Sequence, residues 1–493
     1  MTSAIRPRSL PLLLSLAGLG LTASQALAQS ILPLVPFSET GDLFVTDSTN
    51  DTVWRLLDLD LDGDYDGPGE VSVYYDDTLG PIALTNNNGI AVDGNGTVYV
   101  GDSSEDFILA LRDIDGDGNC HGAGEAVVWF DGKGGSASGV IAGSPANLTA
   151  DLFGDVWLAV SGSGSSAPDN VDKVIHLRDL NADGDANDVG EAVEYYLPAP
   201  GGAGGDTLPQ DVTVGLDGRL YMVDIPTSGT LGKGVYRLDD VDASGTIDAA
   251  GEDQPFFIPP AQANNPFFWG LTMDAQGWFY MADTGNELVW RFRDDNFDGS
   301  IDASTEASIW WQTTDSSLIW RLAAASDGSV LAAESQSPDR ILRLVDTDGS
   351  GSVDPVTETF VLWDDTLGGP DIGNPRSLAF DRQPTVDLNP IPSIGTPLLI
   401  NTFATTGDVV QLYVGGATIA PLPLPPFGFL ELNPGAAFAP LASGTVPSFG
   451  PFAATIGLPA DPGLIGVQVF VQGIAGKPLH LRLTNTASLV LQP

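Results

Sequence analysis

The chain has 493 residues, with 65 Asp and Glu against 19 Lys and Arg, for a net charge of −46. That balance excludes a nucleic-acid or anionic-membrane partner, since both need basic patches. A hydrophobic share of 43% with ten tryptophans excludes the disorder usual in strongly acidic chains, and a single cysteine, Cys120, excludes an intrachain disulfide.

In chain order the first element is a secretory leader over residues 1–28. Arg6 and Arg8 precede an apolar run from Leu10 to Leu21, and Ala26-Leu27-Ala28 forms a small-x-small cleavage site. The run is too short to span a bilayer. The mature chain is therefore expected to be secreted, with no membrane span.

An acidic motif follows and recurs. Its best-formed copy is Asp113-x-Asp115-x-Asp117-Gly118, closed by Glu125. The others are Asp58-x-Asp60-x-Asp62-Gly63 with Asp66 and Glu70, and Asp179-x-Asn181-x-Asp183-Gly184 with Asn187 and Glu191. Then come Asp240-x-Asp242-x-Ser244-Gly245 with Asp248 and Glu252, and Asp294-x-Asn296-x-Asp298-Gly299 with Asp302 and Glu306. The last is Asp346-x-Asp348-x-Ser350-Gly351 with Asp354 and Glu358. Alternate oxygen-bearing side chains aim at one point, the glycine allows a sharp turn, and the glutamate returns to close a shell. Ca2+ needs that arrangement of oxygens. In every copy the glutamate stands at loop position 13, one later than in an EF-hand, so the motif is EF-hand-like. His121 holds position 9 of the second copy, where the others carry Asp or Asn.

The copies are spaced 52 to 66 residues apart, which signals a repeat architecture. In the second unit Gly89–Asp93, Thr97–Gly101, Ile108–Arg112 and Ala126–Phe130 read as four strands, with the acidic loop between the third and fourth. Four antiparallel strands per unit describe a propeller blade. The first unit lacks an opening strand, and Arg376-Ser-Leu-Ala-Phe-Asp381 is an opening strand with no blade behind it. The pattern predicts that this segment completes the first blade and closes a six-bladed β-propeller over residues 37–384. All acidic loops then ring one face. The long stretches at 131–138, 161–168 and 225–232 lie on the other, where function tends to sit. Asn88-Gly-Ile-Ala-Val-Asp93 with Val98-Tyr-Val100, and Ala282-Asp-Thr-Gly-Asn286 with Val289-Trp-Arg291, resemble NHL-type propeller repeats. The resemblance implies a fold and not a reaction.

From residue 386 to 493 charges are few and prolines and glycines many. Val409–Val414, Gly466–Gln472 and Leu479–Thr484 alternate as strands. They predict a small all-β sandwich, similar to the C-terminal domain of many exported bacterial proteins.

Residues opening the first strands should line a central pocket: Asn88, Gln210, Asp211, Trp269, Trp320, Arg321 and Arg376, with Asn147 nearby. Two arginines beside aromatic rings suit an anionic or sugar-like ligand. The opposing expectation is that these groups only satisfy backbone lining the channel. His121, His176 and His480 have no evident catalytic partner, which argues against a Ser/His/Asp hydrolase. The reading is thus a calcium-stabilised module binding an extracellular protein or carbohydrate. The alternative is a metal-dependent lactonase or esterase, implied by similarity to gluconolactonase-type propellers, where Asn88-Gly89 resembles one ligand motif. Ala146, Gln210, Trp269, Trp320 and Arg376 at the equivalent positions do not rebuild that metal site. A quinone-dependent sugar dehydrogenase would need a histidine at the pocket.

Overall fold

The structure is a computed structural model. It describes residues 42–492 apart from 61, 152, 163–171, 198–206, 227–231, 250, 275, 314–317, 326–327, 336–337, 367–369, 382–383, 389–393, 405–406, 424–428, 436–437, 448–450 and 478–479. The expected secretory leader lies outside the described residues, as do most of the stretches at 161–168 and 225–232. Among the described residues no helix is long and apolar enough to cross a membrane.

The chain is all-β and divides into two compact units, one ending at Asp381 and one running over Arg382–Pro493. In the first unit six four-stranded antiparallel sheets follow one another. Their innermost strands are Pro375–Phe380, Asn87–Val92, Pro145–Ala150, Pro209–Val214, Phe268–Met273 and Leu318–Ala324, for the first to sixth sheets. Each innermost strand touches the next, and the sixth touches the first, so the six form a closed cycle. This is propeller architecture.

Closure comes from the segment the sequence singles out. Pro375–Phe380 pairs antiparallel with Leu43–Asp47, with Phe380 opposite Leu43 and Ala379 opposite Phe44. The first sheet thereby joins both ends of the unit and leaves no unpaired edge at the ring's centre.

The apolar residues explain the packing. Inner strands are buried along their whole length, as in Leu220–Asp224 and Phe279–Asp283, because both faces of each sheet meet a neighbour. Six separate cores result, each shared by two consecutive sheets. Trp129 and Phe130 of the second sheet meet Leu148 and Leu158 of the third. Leu43 and Phe380 of the first meet Leu331 and Trp363 of the sixth. Innermost strands approach so closely that a Cβ on Gly270 would stand 3.0 Å from Arg321 Cα. Gly89, read by resemblance as part of a metal motif, has the same packing role: its Cβ would lie 2.9 Å from Asn147 Cα.

The second unit is a β-sandwich. One sheet comprises Thr385–Leu388, Pro397–Phe403 and Phe452–Gly457, and another Phe438–Thr445, Val409–Gly415, Gln468–Lys477 and His480–Val490. They share one core that includes Leu398, Ile400, Val410, Leu412 and Val471.

Candidate functional site

All six acidic loops join the third to the fourth strand of their sheets and so lie at the same end of the ring. They share one local structure. The amide of the position-6 glycine donates to Oδ2 of the position-1 aspartate at 2.8–3.1 Å. That glycine is left-handed throughout, with Gly184 at φ +102°. The amide at position 5 donates to the side-chain oxygen at position 3 at 2.8–3.2 Å. Position 4 is also left-handed in the five loops where it is described. There Ala182, Ala243 and Phe297 hold φ of 61°, 57° and 60°, a conformation costing L-residues roughly 1–2 kcal/mol.

The closing glutamates Glu70, Glu125, Glu191, Glu252, Glu306 and Glu358 are buried. Oε1 of each accepts the position-2 amide at 2.7–3.2 Å. Oε2 accepts an amide at position 9 or 10 at 2.8–3.0 Å. These donors stabilise the charged form. The Ala249 and Asp248 amides hold Glu252 below the usual carboxylate range, and the Thr347 hydroxyl does so for Glu358. In five of the six loops Oε1 also accepts the position-3 amide, at 3.0–3.3 Å.

Metal-ligating oxygens converge in several loops. Asp58, Asp60 and Asp62 bring carboxylate oxygens within 4.8 Å of one another, as do Asp113, Asp115 and Asp117. In the fourth and sixth loops the glutamate joins, as Asp240, Asp242 and Glu252 and as Asp346, Asp348 and Glu358. These clusters could hold a metal ion. Asp62, Asp64 and Asp66 form a further group, and Asp64 at position 7 was not anticipated. Its charge pushes Asp66 above the usual carboxylate range, a repulsion a cation would relieve. In the third loop Asn181 donates to Asp183 at 3.0 Å and Asp188 at 2.6 Å. Ser244 and Ser350 turn their hydroxyls to the carbonyls of Thr246 and Ser352. Asp302 and Asp354 accept amides from the turns that follow them.

Position 8 does something else. Its amide leaves the loop and donates to the outermost strand of the preceding sheet. Tyr65 bonds Leu362 O, Cys120 bonds Tyr74 O, Ala186 bonds Trp129 O, Ile247 bonds Tyr195 O, Ile301 bonds Phe256 O and Val353 bonds Trp310 O, all at 2.6–2.8 Å. Every one of those acceptors is the extra residue of a β-bulge. The bulge takes that carbonyl out of its own ladder and offers it to the neighbour. Position 9 adds to the seam in two loops. Asn187 accepts the Asp131 amide at 2.8 Å and donates to Trp129 O at 3.3 Å, and His121 Nε2 accepts the Asp76 amide at 2.9 Å. The acidic loops therefore staple each sheet to the one before it. Cys120 is one of the staples, buried with its thiol pushed up by desolvation.

Six of the eight predicted pocket residues also fall at bulges, in the innermost strands. Ladder pairing skips Asn88, Ala146 and Gln210, and skips the pairs Trp269-Gly270, Trp320-Arg321 and Arg376-Ser377. They form two groups. At the centre, Arg321 reaches from the sixth sheet to the carbonyls of Ala146 and Gln210, both at 3.0 Å. Asp211 accepts Asn147 Nδ2 at 2.6 Å, Leu271 N at 2.7 Å and Val212 N at 2.8 Å. Ser377 donates to Asn147 Oδ1 at 3.3 Å. Burial pushes Asp211 up to about 6 against the pull of Arg321, and pushes Arg321 down to about 10.

The second group is a stack. The Arg376 guanidinium lies 3.8 Å from the Trp320 ring centroid, and Trp320 meets Trp269 edge-on at 5.0 Å. Arg321 lies 5.3 Å from the Trp269 ring centroid. Asn88 and Gln210 bond Ser103 and Ser161, each at 2.8 Å. Arg321 and Gln210 thus do satisfy the channel backbone, whereas Trp269, Trp320 and Arg376 stay half-buried.

No family model matches the chain, and no curated protein matches it. Among solved structures it is similar to a virginiamycin B lyase from Staphylococcus aureus, at 14% identity and a TM-score of 0.37 over 77% of this chain and 95% of that one. It is similar to a gluconolactonase from Xanthomonas campestris at 16% identity and a TM-score of 0.37, over 62% and 84%. A third likeness is the PQQ-bound aldose sugar dehydrogenase from Streptomyces coelicolor, at 14% identity and 0.40, over 66% and 90%. At such identities the likeness is one of fold.

Proposed function

We propose that the chain is a secreted, calcium-stapled six-bladed propeller that presents a binding surface to an extracellular protein or carbohydrate. The observation carrying this reading is the matched pair in all six sheets: an acidic loop whose position-8 amide is fixed on the bulge of the neighbouring sheet. An ion drawing the loop's oxygens together would hold that amide in place, so cation binding and ring integrity become one equilibrium. Sites of this kind bind Ca2+ at about 0.1–1 mM, concentrations met outside cells. The lactonase alternative would have to place a central cation beside the guanidinium of Arg321, which bonds the carbonyls of Ala146 and Gln210.

Calorimetric titration of Ca2+ into chelator-treated protein, run beside a screen of lactones and aryl esters, tests the reading. Weak sites numbering about six, with no turnover, are expected. One tight additional site accompanied by turnover would replace the module with the enzyme.

A further inference from the structure

Two arginines of the innermost strands, Arg321 and Arg376, stand at the ring's centre. The chain carries 65 acidic residues and 19 basic ones, so nearly every arginine could find a carboxylate. Arg55, Arg219, Arg293 and Arg340 do. Arg376 and Arg321 make no ion pair among the described residues. Arg376 spends Nε on Ser48 Oγ at 3.2 Å and lays its plane on Trp320. Arg321, only 3% exposed, uses one nitrogen on two carbonyls and leaves Nε and Nη1 unpartnered. Leaving such donors unmade inside a protein is costly, so an acceptor brought to them would be favoured.

The two guanidiniums belong to one surface. Arg376, Trp320, Trp269 and Arg321 form a continuous row of ring and guanidinium contacts, and the charge of Arg376 is felt at Arg321. The charge of Asp211 also bears on Arg321. The indole of Trp269, half-buried and flanked by Phe267 at 5.2 Å, places apolar surface beside the charge. An aromatic face next to guanidinium donors suits a ring that is apolar on one side and carries a carboxylate.

We propose that the ring mouth binds a carboxylate-bearing saccharide, with the carboxylate on Arg376 and the free N–H groups of Arg321 and the sugar ring against Trp269. This rests on the binding-module reading and names its ligand class.

Tryptophan fluorescence and calorimetry with D-glucuronate, its methyl ester and D-glucose test the assignment on the full chain in millimolar Ca2+. Saturable binding of glucuronate is expected, with the ester and glucose weaker by about tenfold or more, since a charge-assisted hydrogen bond is lost. Arg376→Gln should weaken glucuronate by a similar factor with an unchanged melting temperature. Arg321 is cross-braced, so its removal risks the fold. Trp269→Ala serves instead, and it should weaken glucuronate and the ester alike. Equal binding of glucose and glucuronate overturns the carboxylate site and keeps a carbohydrate-binding module. Absence of glucuronate binding in a protein that still melts as the calcium-loaded form also overturns the site, and leaves the calcium-stapled scaffold standing.

Discussion

Asp211 sits fully buried among three N–H donors, opposite Arg321, and its carboxyl is raised to about 6. The sign follows from linkage. A carboxyl whose folded value lies above its unfolded 3.8 binds its proton more tightly when folded. Its contribution is therefore present below about 3.8 and is lost as pH rises through about 6. Against Asp211→Asn, which cannot titrate, the native protein should lose about 2 kcal/mol of relative stability between roughly pH 4.5 and 7.5. Denaturant midpoints at saturating Ca2+ measure it, and a gap independent of pH would show that Asp211 stays ionised throughout. At this scale the sequence was informative about kind and silent about direction. It marked Asp211, Asn147 and Arg321 as central residues. It did not show that Arg321 would cross the ring to the carbonyls of Ala146 and Gln210, because that depends on strands 111 and 175 residues away.

Each sheet carries a bulge in its outermost strand, and each bulge receives a neighbour's loop amide. The acidic loops, their glutamates and the closing strand at Pro375–Phe380 were all legible, since spacing and alternation encode them directly. The staple was missed although its signal was present. Position 8 carries no charge or carboxamide in any copy: Tyr65, Cys120, Ala186, Ile247, Ile301 and Val353. Each outermost strand also breaks its alternation with a doublet, Tyr74-Tyr75, Trp129-Phe130, Tyr195-Tyr196, Phe256-Phe257, Trp310-Trp311 and Leu362-Trp363. Two adjacent large apolar residues can both face inward only if the strand bulges between them. The fourth loop allows a direct test. Ile247→Ala removes the buried side chain and keeps the amide, whereas Ile247→Pro removes the donor as well. The proline variant should be less stable than the alanine variant by about 1–3 kcal/mol, the cost of orphaning the Tyr195 carbonyl. Equal denaturant midpoints for the two would remove the staple's energetic role.

A net charge of −46 makes the propeller unit, where most of the acidity lies, prone to self-repulsion. Two explanations of any cation effect then compete. Sodium screens exposed charges over a Debye length of about 10 Å at 0.1 M, whatever the loop geometry. Calcium captured by converging oxygens fixes the loop and, through position 8, the neighbouring sheet. At 1 mM Ca2+ each site of 0.1–1 mM affinity contributes about 0.4–1.4 kcal/mol, so six contribute roughly 2–8 kcal/mol together. Scanning calorimetry after chelation should show the propeller transition fall by roughly 5–15 °C. Millimolar Ca2+ should restore it fully and NaCl at about 0.5 M only in part. The sandwich of Arg382–Pro493 supplies an internal control, since no metal-ligating cluster occurs among its described residues, and its own transition should not move. Cys120 reports from within a staple: its buried thiol should resist Ellman's reagent in Ca2+ and react once the ion is withdrawn. Full recovery in NaCl, with Cys120 protected throughout, would make the loops charged turns and leave the ring held by its six apolar cores alone.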